Sequence, residues 1–333
     1  MNGTPLFEAH DLVKHFRTGR GTVQAVNGVS LSIPRGRTVG LVGESGSGKS
    51  TVARLALRLI EPTSGALRFD GADLGAASGA ALRRLRRRMQ IVFQDPVGSL
   101  NPRMTVLQAV GEPLVVHRMA RGQELADRVV ELLERVGLGA RDLHRYAHQF
   151  SGGQAQRIGI ARALATGPDL IVCDEAVSAL DVSVQAQVLN LLRRLQAESG
   201  ISYLFIAHDL NVVRYMSDEV CVMYLGEIVE RGDGDAVLRD PRHPYTRMLV
   251  SAVRDLGPSA AAARRPVAEA VTGEVPSAID PPDGCRFHTR CPVAEPECHT
   301  ERPPLRTVPD RDVACRLVDS RDSGDRRDPV VSP

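Results

Sequence analysis

One octapeptide constrains this chain more than any other feature: Gly43-Glu44-Ser45-Gly46-Ser47-Gly48-Lys49-Ser50. It follows a short apolar run, Thr38-Val39-Gly40-Leu41-Val42, and precedes helical spacing at Val52, Leu55, Ala56, Leu59 and Ile60. Strand, glycine loop and helix in that order make a phosphate cradle, a P-loop. Gly43, Gly46 and Gly48 permit the tight turns that aim successive N–H groups inward, and the positive end of the helix reinforces the anion site. Ser45, Ser47 and Thr51 complete the loop. Lys49 is expected at the outer phosphates, and the Ser50 hydroxyl on Mg²⁺. The lysine is informative because the chain has 42 basic residues and only Lys14 and Lys49 are lysines. Everywhere else arginine serves. At Lys49 the chemistry asks for a compact ammonium that a planar guanidinium does not replace. Lys14 reads as an occasional lysine left over by composition.

Two further motifs follow in a fixed order. Asp174 and Glu175 close the apolar run Leu170 to Cys173, at the carboxyl edge where α/β sheets place their ligands. Asp174 is expected in the Mg²⁺ shell and Glu175 beside the attacking water. Between them and the P-loop lies Ser151-Gly152-Gly153-Gln154, preceding a helical stretch from Ala155 to Ala165. Serine and glycines at a helix start make either a second anion site or an ordinary cap. The position between the other two motifs favours the anion site. His208 follows Tyr203 to Ala207 and has Asp209 beside it. It is the third polar group expected at the same sheet edge, where it would meet the γ-phosphate.

Strands alternating with helices imply an α/β fold around a mostly parallel sheet. Residues 5 to 42 carry short β-like runs, Val23 to Val26 and Val29 to Ile33. Residues 96 to 165 read as a helical insertion, with a helix over Glu124 to Val136 stopped by Gly137. Val184 to Ala197 reads as an amphipathic helix. The spacing predicts a nucleotide-binding domain over 5–257, an extension over 258–319 and a disordered tail over 320–333. The segment from Arg254 to Pro282, rich in alanine, proline and arginine, is expected as a linker. A net charge of +2 gives no global case for nucleic-acid binding, and the five arginines between Arg83 and Arg88 fit a solvated helix face. No apolar run reaches the roughly 18 residues of a membrane span. No secretory leader is recognisable. The expected place is the cytoplasm, with any membrane connection through a partner.

Six cysteines divide in two groups. Cys173 and Cys221 sit in apolar strand-like runs and read as core residues. Cys285, Cys291, Cys298 and Cys315 are too widely spaced for a paired-cysteine zinc ribbon, and disulfides are disfavoured in a reducing compartment. So small a unit cannot bury much core, which suggests a metal staple. Zinc, with His288 or His299 replacing one thiolate, and plain core cysteines are the other readings.

The chain resembles the ATP-binding subunits of ABC transporters, and more closely those of bacterial oligopeptide/dipeptide importers. Two stretches carry the likeness. One runs Ile91-Val92-Phe93-Gln94-Asp95-Pro96-Val97-Gly98-Ser99-Leu100-Asn101-Pro102-Arg103-Met104-Thr105-Val106. The other begins Asp174-Glu175-Ala176-Val177-Ser178-Ala179-Leu180-Asp181-Val182-Ser183 and continues to Leu189. The Ala-Val-Ser form resembles the second of the two paired ATPases, and His243-Pro244-Tyr245-Thr246 and the distal cysteines extend the match over residues 5 to 317. The resemblance implies a RecA-like P-loop NTPase core with an antiparallel β subdomain, an α-helical insertion and a small cysteine-bearing extension. It implies ATP hydrolysis driving peptide import, with Glu175, His208 and Lys49 catalytic. Phe16 would stack on adenine. Gln94 would sense Mg²⁺ with Ser50 and Asp174, and relay to the membrane subunit. Ser151, Gly152, Gly153 and Gln154 would bind ATP held by the opposite subunit, with Ser178 to Asp181 crossing the interface. The four distal cysteines would hold a [4Fe–4S] cluster. Implied partners are a paralogous second ATPase, two permeases at the cytoplasmic face of the membrane and, indirectly, an extracytoplasmic binding protein, with no nucleic acid. A nickel or other small-solute importer shares these motifs. A soluble ABC ATPase fits less well, because one cassette and no long heptad insertion are present. Phe150 replaces the commoner leucine opening the signature, and Ala155 replaces a usual polar residue.

Overall fold

The computed structural model describes residues 4–252 and 274–318. Strand β1 (Phe7–Thr18) and strand β2 (Gly21–Ile33) form a long antiparallel hairpin. The two short β runs expected before residue 34 are one strand, β2. Its inward residues Val26, Val29, Leu31 and Ile33 are buried. Strands β4 (Ser64–Phe69) and β5 (Ala72–Asp73) complete a four-stranded sheet of order β2-β1-β4-β5.

The second sheet has eight strands and carries the site. Its parallel part consists of β9 (Glu219–Tyr224), β3 (Thr38–Val42), β8 (Ser202–Ala207), β7 (Leu170–Asp174) and β6 (Met89–Val92), in that spatial order. Every residue of β3, β7 and β8 is buried, as expected for strands covered on both faces. The antiparallel edge adds β10 (Glu227–Asp233), then β12 (Arg311–Val313), then β11 (Arg306–Val308).

The P-loop leads into α1 (Lys49–Ala56). This helix is shorter than the apolar spacing suggested. Arg58 turns left-handed at φ 48° and commits its guanidinium to the carbonyls of Leu74 and Ala77, so Leu59 ends half exposed rather than on the apolar stripe. Helix α2 (Gly79–Arg88) buries none of its residues. Its last arginine bridges Asp70 and Asp169, which ties the helix to both sheets. Between β6 and β7 the chain inserts α3 (Val106–Val116), α4 (Gly122–Arg135) and α5 (Gly152–Leu164). Thr105 and Gln108 form a capping box at the start of α3. Val129 and Leu133 bury the apolar face of α4, and Gly137 at φ 81° ends the run. Helices α6 (Val182–Ser199), α7 (Leu210–Met216), α8 (Gly234–Arg239) and α9 (Pro244–Ala252) complete the set.

The cysteine-bearing segment is built onto the core. Strand β12 pairs with β10, and Phe287 is fully buried against Tyr224, Tyr245 and His243. Most of the expected linker, and the tail from Ser320, lie outside the described residues. Where the chain is again described, the Ala278 carbonyl accepts from the Gln24 amide of β2 at 2.8 Å.

Candidate functional site

Strand β3 delivers the P-loop to the carboxyl edge of the large sheet. Gly46 and Gly48 adopt φ of 79° and 106°, which glycine alone takes without strain. A side chain on Gly48 would strike the Ala25 carbonyl of β2, and one on Gly43 the Met223 carbonyl of β9. The Gly226 amide donates to the Ser47 carbonyl at 2.9 Å. The loop is thus wedged between the two sheets, with Ser45 and Gly46 exposed at its mouth.

Lys49 is buried and folds back into the loop. Its Nζ donates to the carbonyls of Gly43 and Glu44, both at 2.8 Å, and approaches Ser47 Oγ at 3.4 Å. Burial lowers its pKa, while the charges of Glu175, Asp174 and Glu44 oppose that shift. Ser50 Oγ donates to Asp174 Oδ1 at 2.9 Å, so the two residues expected on Mg²⁺ stand side by side. Burial raises the Asp174 carboxyl, partly offset by the Ser50 hydrogen bond. Thr51 belongs to the first turn of α1, its amide bonding the Gly48 carbonyl at 3.0 Å.

A second group gathers after β6, β7 and β8. Gln94 Nε2 donates to Glu175 Oε2 at 2.8 Å, and His208 Nδ1 lies 3.5 Å from the same oxygen. Glu175 sits at φ 49°, an uncommon conformation for its residue type, with its amide on the Ile206 carbonyl at 3.0 Å. Ser178 Oγ donates to the Glu175 carbonyl at 3.0 Å. Gln94, expected among the Mg²⁺ ligands, is bonded to Glu175, and His208 stays exposed.

Ser151 caps α5 and forms a capping box with Gln154. Gly153 lies so close to Val184 of α6 that a side chain there would clash, and Gly152 faces Leu180. Asp181 begins α6, and Val182 beside it is 84% exposed. Among the described residues no hydrogen bond joins Ser151–Gln154 to the P-loop of the same chain. Phe16 presents an exposed ring on β1. Lys14 is not a compositional leftover: its Nζ sits 5.0 Å over that ring and donates to the Glu61 carbonyl at 2.7 Å.

Sequence reasoning missed Tyr245 and Arg290 as partners of the P-loop, and the buried pair Glu230–Arg311. The Glu44 amide donates to Tyr245 Oη at 2.8 Å, and the Glu44 carboxylate takes a two-pronged ion pair from Arg290. Glu230 on β10 is fully buried, accepts from the amides of Arg242 and His243 at 2.9 Å, and pairs with Arg311 at 3.1 Å. His243-Pro244-Tyr245 was visible as a motif, but nothing in one sequence linked it to residues 44, 230 or 290.

The four distal cysteines are free thiols. Burial pushes Cys285 up to about 11, and nearby Cys315, Cys298 and Cys291 push the same way. Cys291 and Cys315 are raised for similar reasons. Four neighbouring thiols are the donor set an iron–sulfur cluster takes. As placed, however, no group of three or more His, Cys, Asp or Glu among the described residues is arranged to hold a metal ion. This arrangement gives no support to the staple expected at Cys285, Cys291, Cys298 and Cys315. Backbone pairing through β12 and the buried Phe287 anchor the segment to the core.

Comparison with known proteins agrees with this geometry. Residues 26–178 match the ABC transporter family, and residues 229–298 match the oligopeptide/dipeptide transporter C-terminal region. The oligopeptide transport ATP-binding protein OppF of Salmonella typhimurium is 48% identical over 324 residues, covering 94% of this chain and 96% of that one. AppF of Bacillus subtilis, also named an oligopeptide transport ATP-binding protein, is 48% identical over 325 residues, covering 95% and 98%. The ATP-binding cassette MJ0796, solved as a dimer in a post-hydrolysis state bound to ADP and Pi, has a TM-score of 0.62 at 31% identity, covering 68% of this chain and 98% of that one. With both regions matched and relatives near 50% identity over almost its whole length, the chain belongs to the ABC transporter ATP-binding subunits of the oligopeptide/dipeptide family.

Proposed function

We propose that this ABC ATPase powers import of di- and oligopeptides, closing each ATP between its own P-loop and the Ser151–Gln154 signature of a mate. One observation carries the reading. Ser50–Asp174 and Gln94–Glu175–His208 gather at one sheet edge, while among the described residues the signature has no hydrogen bond to that edge in its own chain. A capped helix start with exposed Ser151 and a serine–glycine turn is suited to receive phosphate from outside. The dimeric MJ0796 cassette supports pairing.

In this reading Gly43 to Thr51 wrap the β- and γ-phosphates, and Lys49 exchanges its carbonyl partners for phosphate oxygens. Ser50, Gln94 and Asp174 would hold Mg²⁺. Glu175 swings from Gln94 onto the attacking water, and His208 turns to the γ-phosphate. Phe16 stacks on adenine, and Asp181 crosses to the mate. The peptide cargo is supported by the C-terminal region match and the names of the relatives. The partners are a paralogous ATPase, two permeases and, through them, an extracytoplasmic binding protein. Among the described residues no helix is long and apolar enough to cross a membrane. Attachment at the cytoplasmic face then runs through the permeases, by the surface around Gln94.

The test uses the chain assembled with its mate and permeases in vesicles. Glu175→Gln should bind ATP, stop turnover and hold the ATPase pair together on size exclusion. Full turnover by that variant would remove Glu175 from its role. Peptide should accumulate only with ATP and binding protein present. A [4Fe–4S] cluster on Cys285, Cys291, Cys298 and Cys315, with zinc as the alternative, stays part of the proposal on the strength of the four-thiol donor set. Anaerobic protein should show visible cluster absorption. Colourless protein with stoichiometric zinc points to zinc, and metal-free protein to simple core thiols.

A further inference from the structure

Glu44 brings a carboxylate into a loop made to receive a polyanion. Its charge reaches Lys49, where it helps hold the ammonium charged. Yet the carboxylate is not left facing the loop alone. Arg290 Nη1 meets Glu44 Oε2 at 2.7 Å and Nη2 meets Oε1 at 3.0 Å, a fork on both oxygens. The pair joins residues 246 positions apart in the chain. The Arg290 side chain is only 8% exposed, against 27% for Glu44. Its guanidinium lies 5.8 Å from the ring centroids of both Tyr224 and Phe287. Its backbone closes a short turn on the buried Phe287, with the Arg290 amide 3.0 Å from the Phe287 carbonyl. Glu44 is thereby held at three points: amide by Tyr245, carbonyl by Lys49, carboxylate by Arg290.

We propose that Arg290 of the C-terminal extension is a positioning residue for nucleotide binding, neutralising and pinning the Glu44 carboxylate so that the P-loop accepts a triphosphate. The inference rests on reading Gly43–Ser50 as the phosphate loop. Guanidinium is charged at every working pH, so the countercharge is permanent. Without it, an unpaired carboxylate repels the incoming phosphates and frees the loop's second residue. A purely structural latch predicts something different. Loss of either partner would then loosen the loop, and loss of both would be no better. Neutralisation predicts rescue, because removing the carboxylate removes the repulsion.

Full-length chain with its mate should be titrated with a fluorescent ATP analogue and assayed for turnover. Arg290→Ala should raise the Kd for ATP about tenfold, and Glu44→Gln alone by less than about threefold. The double variant Arg290→Ala/Glu44→Gln should return to within about threefold of the parent. The Arg290→Ala defect should shrink at high salt as the carboxylate is screened. Arg290→Lys, which keeps charge but loses the fork, should fall between. It also serves as the test if Arg290→Ala does not fold. Unchanged ATP affinity in folded Arg290→Ala, or in Arg290→Lys where only that variant folds, overturns the proposal. A double variant as weak as Arg290→Ala overturns it too. Lys49→Ala separates the layers. If Lys49→Ala binds ATP normally, the phosphate-loop reading itself falls; if it loses ATP while Arg290→Ala does not, only the role of Arg290 falls.

Discussion

Arg311→Ala should destabilise the whole chain by unpairing a buried charge. Arg311 and Glu230 have side-chain exposures of 2% and 0%, and the pair bonds strand β12 to strand β10. Arg311 Nη1 also donates to the Asp240 carbonyl at 2.8 Å, and Nη2 pairs with Asp310 at 2.6 Å. In the variant, Glu230 keeps the amides of Arg242 and His243 but loses the countercharge of Arg311. Removing one partner of a buried pair costs about 3–5 kcal/mol. Part of that is the stranded carboxylate, and part is the loosened edge strand. A melting temperature on the order of 10 °C lower should follow. Denaturant unfolding followed by circular dichroism, beside a thermal scan, measures both. Arg311→Lys should lose less, since the charge stays and only the fork goes. Stability of Arg311→Ala within about 0.5 kcal/mol of the parent would refute the argument, because that is the range of an ordinary surface change.

Gly48→Ala should abolish nucleotide binding, since a methyl group meets the Ala25 carbonyl and φ of 106° is strained for alanine; calorimetric titration with ATP checks it. His243 is completely enclosed, and burial lowers its pKa from 6.5 to about 3. The unfolded chain then binds a proton that the folded chain refuses. Stability is full above about pH 6.5 and falls as pH drops toward 3. Urea unfolding at pH 7, 6 and 5 should reveal that slope, and His243→Gln should flatten it. Gly153→Val should impair turnover with the mate while leaving ATP binding to the single chain intact, because the new side chain meets Val184 on α6 and not the P-loop; binding and turnover assays in parallel distinguish the two.

The parts of the fold set by local pattern were legible in the chain. Strand β3, the glycine loop and the start of α1 follow from apolar run, turn residues and helical period, and so do β7, β8 and α6. The grouping of Ser50 with Asp174 followed from knowing that parallel strands put their carboxyl ends together. What stayed hidden was long-range and polar. Arg290 is one of many arginines in a lysine-poor chain, and nothing local marks it as the partner of Glu44. Glu230 lies on a strand with no period that announces a buried carboxylate. The end of α1 was misjudged because Leu59 and Ile60 continue the helical spacing, while Arg58 finds better bonds by leaving the helix. The thiol cluster was read from count and spacing, which set neighbourhood but not the ligating geometry of a metal.

The brace from Arg290 to Glu44 also bears on synthesis. Helix, strand and glycine turn near residue 43 emerge early, yet their buttress is made some 246 residues later. The pocket gains its far wall only when β9 emerges, and its brace follows later still. Competence to seize nucleotide arrives almost last, when the far end of the polypeptide returns to lock the turn that began it.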